Sequence, residues 1–129
     1  MQKLFFLFTL LVSKVIFVST SYADWTPMGE NTSGNSYFLN FNTFKKHNGY
    51  IYWWDMVSYL KPNKFGTFSS QTYYMGDCKL FRFKILSDKN FEGQNGTGSF
   101  KIYNVPDKEW RYPSPNSIGE YLFKFVCNK

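Results

Sequence analysis

The sequence predicts an α+β fold: a single antiparallel, meander-like sheet of about six strands, one C-terminal helix packed on it, and one disulfide. Three observations lead there. Aromatic residues make up 22% of the 129 residues, and Tyr and Phe suit pleated, half-buried surfaces. Short aromatic and β-branched runs alternate with Gly, Asn, Asp and Pro clusters, the pattern of strands and turns. Helical spacing is clear near the C-terminus, where Ile118, Tyr121, Leu122, Phe125 and Val126 fall at i, i+3, i+4, i+7 and i+8.

Residues 1–23 are set aside as a secretory signal. Lys3 precedes the apolar run Leu4-Phe5-Phe6-Leu7-Phe8-Thr9-Leu10-Leu11-Val12, and Ser21 and Ala23 are the small residues before a cleavage at Asp24. Lys14 interrupts the apolar stretch, which argues against a permanent transmembrane helix. No later stretch is apolar enough to span. The expected mature domain is residues 24–129. The formal net charge of +6 falls by two with the loss of Lys3 and Lys14. The domain is mildly basic, which suits an anionic partner without demanding one.

Asp24-Trp25-Thr26-Pro27-Met28-Gly29 reads as a short edge strand anchored by Trp25, since Pro27 belongs at an edge. Residues 30–35 form a turn. Ser36-Tyr37-Phe38-Leu39-Asn40-Phe41 is the second strand, and residues 43–49 read as a polar turn. Within it, Lys45-Lys46-His47 is taken as a solvated loop rather than an anion contact. The sequons at Asn31 and Asn95 are taken as loop polarity.

Residues 50–60 are the longest strand-like run, stopped by Lys61-Pro62-Asn63. Tyr50, Tyr52, Trp54 and Met56 share one face, and Ile51, Trp53, Asp55 and Val57 share the other. Apolar residues on both faces predict a central, doubly covered strand; the pattern leaves open which face lies under the helix. Asp55 interrupts its face and is read as a structural hydrogen-bonding group.

A fourth strand begins at Ser69-Gln71-Tyr73 and reaches a turn at Gly76-Asp77, with Cys78 opening the fifth strand. There Phe81, Phe83 and Ile85 point one way and Arg82 and Lys84 the other, a basic stripe on a sheet face. Residues 87–98 read as loop, and 99–105 as the last strand. The loop glycines lack phosphate-cradle spacing. Ser117-Ile118-Gly119-Glu120 has capping-box form and starts the helix.

Two cysteines in an exported chain point to one disulfide, Cys78–Cys127, rather than free thiols or a metal site. No catalytic, cofactor-binding or metal-ligating constellation is present. His47 is the single histidine and has no acidic or serine partner in a recognisable motif.

In order, Trp25, Tyr37-Phe38-Leu39, Tyr59-Leu60-Lys61-Pro62, Tyr74, Asp77-Cys78 before an Arg-bearing strand, Trp110, Pro115-Asn116-Ser117 and Val126-Cys127 form one set of landmarks. This set resembles the surface-adhesin protein E family of Gram-negative bacteria. The resemblance covers nearly all of the expected domain. It implies an antiparallel sheet with a C-terminal helix and one disulfide. It also implies partners among host extracellular-matrix and serum proteins. The family's founding adhesin is a lipoprotein, whereas no cysteine lies near the expected cleavage site here. The expectation is a periplasmic, secreted or cell-surface protein without a lipid-attached cysteine.

The functional expectation is a non-enzymatic binding module without a cofactor. Tyr50, Tyr52, Trp54, Arg82 and Lys84 form its candidate surface, which would meet a protein or an anionic surface or glycan, not nucleic acid. The alternatives are a structural envelope protein with no host ligand, and a small secreted hydrolase.

Overall fold

A computed structural model describes residues 24–129. The expected signal segment 1–23 lies outside the described residues. Six strands form one open antiparallel sheet in sequence order. They are β1 (Thr26–Glu30), β2 (Ser36–His47), β3 (Tyr50–Ser58), β4 (Ser69–Asp77), β5 (Arg82–Phe91) and β6 (Phe100–Tyr103). A 3-10 turn at Gln94–Gly96 precedes β6, and helix α1 (Ile118–Cys127) closes the chain. The single sheet, terminal helix and Cys78–Cys127 disulfide are as expected.

Helix α1 starts as its capping residues dictate. The Glu120 N–H donates to Ser117 Oγ at 3.1 Å, and Glu120 Oε1 accepts from the Asn116 N–H at 3.4 Å. Its buried residues are Leu122, Phe123 and Val126. The expected stripe is therefore rotated: Tyr121 is exposed, and Phe123 takes its place inside. The reason is Gly76. A Cβ there would lie 2.7 Å from the Trp53 ring and 2.9 Å from Phe123. The missing side chain opens a slot in the sheet that the Phe123 ring fills. Phe123 stacks on Trp53 and Phe81 at 5.6 and 4.6 Å between ring centroids, and Phe83 meets it edge-on. Leu39, Ile51, Trp53, Leu122 and Val126 complete the core.

Gly76 thus lies in a strand, not a turn. β4 runs through Asp77, which pairs with Arg82, and the turn is Cys78–Phe81. Asp77 Oδ1 accepts from the Leu80 N–H at 3.2 Å, and Phe81 adopts a positive φ of 53°. Cys78 therefore sits in the turn rather than opening β5. From there it bonds Cys127 across a separation of 49 residues. In the chain-entropy model a loop of that length stabilises the fold by about 4 kcal/mol.

Two strands are longer than expected because polar side chains complete their ladders. β2 continues to His47, and the turn is only Asn48-Gly49, with φ of 51° and 83°. Two consecutive positive φ values suit a tight hairpin, which Asn-Gly favours. The polar residues before it carry a bulge between Asn40 and Lys45. Asn40 Oδ1 accepts from the Asn42 N–H, and Thr43 Oγ1 accepts from the Trp54 N–H at 3.1 Å. β5 likewise reaches Phe91. Its polar half faces polar residues of β4: Thr72 Oγ1 donates to Asp88 at 3.0 Å and Ser70 Oγ to Asn90 at 2.7 Å.

Gly76→Ala is expected to lower unfolding free energy by about 1–3 kcal/mol through overpacking, while leaving the disulfide intact. Urea unfolding of the oxidised protein measures this; an unchanged midpoint would contradict the slot.

Candidate functional site

The alternation of β3 assigns its two faces. Ile51 and Trp53 are buried beneath α1, so Tyr50, Tyr52 and Trp54 stand on the opposite side of the sheet, each half-buried. Tyr73 lies directly across from Trp54 in the ladder. Its ring stands 5.1 Å from Trp54 and 6.1 Å from Tyr52, centroid to centroid. Lys89, in the half of β5 expected to be loop, places its ammonium 5.1 Å from the centre of the Trp54 ring. Tyr73 thus brings together two of the predicted aromatic residues, Tyr52 and Trp54, and a cation caps Trp54.

Arg82 and Lys84 join the same face through Trp110. The Arg82 guanidinium lies 4.4 Å above the Trp110 ring, and the Lys84 ammonium 4.9 Å away. Trp110 also packs on Tyr50, at 5.7 Å between centroids. The chain after β6 folds back to hold it there. The Phe83 N–H donates to the Arg111 carbonyl and the Arg111 N–H to the Phe83 carbonyl, at 2.9 and 2.8 Å. Asp107 clamps the turn: its carboxylate accepts from the Ile85 N–H and from two nitrogens of Arg111. The Arg111 guanidinium holds the Asp107 carboxyl below its usual range.

Arg82 is also paired, donating from Nε to Asp77 Oδ2 at 2.9 Å. Burial pushes the Asp77 carboxyl up. The Arg82 guanidinium and the Leu80 and Lys79 N–H groups together outweigh it, so the carboxyl sits low. The basic stripe is therefore not a row of free charges. Both of its cations stand over the Trp110 ring, which places their charge beside an aromatic surface.

The chain from residue 25 to 128 matches the model of the family described as surface-adhesin protein E. The chain belongs to the surface-adhesin protein E family. A search of curated proteins finds no match. Solved structures of Haemophilus influenzae protein E share the fold. One crystal form aligns with a TM-score of 0.61 at 12% identity, covering 82% of this chain and 88% of the other. The selenomethionine form gives 0.60 at 13% identity, covering 83% and 88%. Protein E from a non-typeable strain gives 0.57 at 9% identity, covering 85% and 79%. Among the described residues, no helix is long and apolar enough to cross a membrane.

On the helix side of the sheet this family member carries a separate polar cluster. Asp55 pairs with Leu39 and Thr72 in mid-sheet. Burial raises its pKa to about 8; the Tyr74 hydroxyl partly offsets this, and Asp88 adds to it. Burial also raises the Asp88 carboxyl, against the Thr72 hydrogen bond. His47 sits at the β2–β3 hairpin, where it pairs with Tyr50 and its ring meets Asn48 at 3.1 Å. His47 and Asp55 are not brought together. Neither lines the open groove of about 970 Å³ whose walls include Phe65, Ser70, Asp88, Asn90 and Tyr103. Among the described residues, no cluster of His, Cys, Asp or Glu has the form of a metal site.

A carboxyl whose folded pKa is raised holds a proton that the unfolded chain releases, so folding weakens as pH rises between the two values. For Asp55 that window runs from about 4 to about 8. Asp55→Asn is expected to flatten the fall in melting temperature across this window and to melt higher than the parent at pH 8. Parallel melting curves check this; a parent protein that gains stability from pH 5 to 8 would contradict it.

Proposed function

We propose that this protein is an exported, non-enzymatic adhesive module. Its binding surface is the aromatic and basic sheet face opposite α1. The observation that carries this reading is two groups of rings on one strand face: Trp110 packed on Tyr50, and Tyr73 between Tyr52 and Trp54. Arg82, Lys84 and Lys89 pack over the Trp110 and Trp54 rings. Tyr, Trp and Arg dominate the energetic centres of protein interfaces, and the two aromatics bury much area at small conformational cost. The ladder and the cations hold these rings in place before any partner arrives, which lowers the entropy cost of binding.

Family membership supports a partner outside the cell, and so a final location in the periplasm or at the cell surface. Host matrix and serum proteins are the partner class, with an anionic glycan as the second candidate for the lysine edges. The surface would be read by a partner whose own aromatic or acidic side chains complement it. His47 stands at the β2–β3 hairpin, apart from the Asp55 cluster, and neither His47 nor Asp55 lines the open groove, which fits a binder better than a hydrolase.

Surface plasmon resonance against a panel of matrix and serum proteins, with heparin as an anionic probe, tests the reading. Trp54→Ala and Tyr73→Ala are each expected to weaken the strongest interaction by roughly 30-fold or more. Lys84→Glu is expected mainly to slow association and reduce salt dependence. Absence of binding to every panel member, with the protein retained in the periplasm, would favour a structural envelope role instead.

A further inference from the structure

The two edges of the sheet are built differently. β1 has Pro27, which lacks an N–H, a bulge between Pro27 and Gly29, and a terminal Glu30. These are the devices by which natural sheets avoid pairing with another strand. β6 has neither proline nor bulge; it is short, and its one charge is Lys101. Its sequence is Phe100-Lys101-Ile102-Tyr103, and all four residues are exposed. Phe100 is 51% exposed, Ile102 49% and Tyr103 51%. Among the described residues β6 has a strand neighbour on one side only.

The ladder states which backbone groups are free. The Glu92 N–H donates to the Ser99 carbonyl, and in an antiparallel pair the inward groups then alternate along the strand. Lys101 and Tyr103, opposite Asn90 and Asp88, turn their N–H and C=O toward β5. Phe100 and Ile102 turn theirs outward. Their side chains stand on the face shared by Phe91 and Lys89, with Phe100 packed on Phe91 at 5.1 Å. The outward edge thus offers two donors and two acceptors beside two apolar side chains.

We propose that β6 accepts an extended strand of a partner protein whose side chains alternate between apolar and acidic. The apolar set lies on Phe100 and Ile102. The acidic set meets Lys101 on the other face. A second copy of this chain is the wrong occupant. The antiparallel register that uses all the outward groups of two β6 strands sets Lys101 directly opposite Lys101 of the second copy. Like charges so placed are destabilising. The inference stands on β6 itself and does not depend on what the Trp54 face binds.

Amide hydrogen exchange of the oxidised protein, read by NMR, tests it. The probes are a short peptide alternating valine and glutamate, its valine–lysine counterpart, and the valine–glutamate peptide N-methylated along one edge. The expected result is that the valine–glutamate peptide slows exchange at Phe100 and Ile102 by roughly tenfold or more. Lys101 and Tyr103, already paired, stay unchanged, and neither of the other peptides gives protection. Ile102→Pro removes one outward donor at an edge position that tolerates proline, and is expected to abolish protection at Phe100 with the circular dichroism spectrum retained. Lys101→Glu is expected to reverse the preference toward the valine–lysine peptide, while Trp54→Ala leaves protection in place. Unchanged exchange at Phe100 and Ile102, equal protection by the valine–lysine peptide, or protection that appears with protein concentration alone would each overturn the proposal.

Discussion

The Phe123 ring over Gly76 settles which side of the sheet is inside. Once it is seated between Trp53, Phe81 and Phe83, the period of a strand does the rest. Trp53 is beneath the helix, so Trp54 is not. The disulfide sits one turn of helix beyond Phe123 and joins the β4–β5 turn to the end of α1. It holds the helix on the same face when the chain fluctuates, by restricting the unfolded ensemble rather than by adding contacts. Noncovalent seating and covalent tie therefore act on one decision, the assignment of faces.

Much of this was legible in the residues. The meander, the terminal helix and its cap, the disulfide, and the partition of β3 into two aromatic faces all follow from spacing and composition. What escaped shares one physical cause. Gly76, the polar run before Asn48 and the Ser87–Asn90 stretch carry turn-forming residues inside strands. In each case the residue serves the third dimension: a missing Cβ admits Phe123, Thr43 supplies a ladder acceptor at a bulge, and Asp88 and Asn90 meet hydroxyls across the sheet. Local composition shows the preference for a turn and hides the partner that overrides it.

The face proposed for binding shows the same division. Tyr50, Tyr52, Trp54, Arg82 and Lys84 were readable from alternation within single strands. Alternation does not place Tyr73, Lys89 or Trp110 on that face, although Tyr73 and Lys89 gather at Trp54, and Trp110 gathers Tyr50, Arg82 and Lys84. Tyr73 becomes visible only with the β3–β4 register, and Trp110 only with the return of residues 107–111 to the edge of β5. Apolar surface is left partly in water here because the opposite face already satisfies the core. A sheet covered by one helix on one side has a second face available for recognition, and this chain furnishes that face with rings and cations instead of a second helix.

Adjacent tryptophans allow a direct check. Hydroxyl-radical footprinting of the oxidised protein, read by mass spectrometry, compares Trp53, 4% exposed, with its half-buried neighbour Trp54. Rapid oxidation of Trp54 with Trp53 protected is the predicted result. Oxidation of Trp53 as fast as Trp54, or faster, would contradict the assignment of faces and with it the surface proposed for binding.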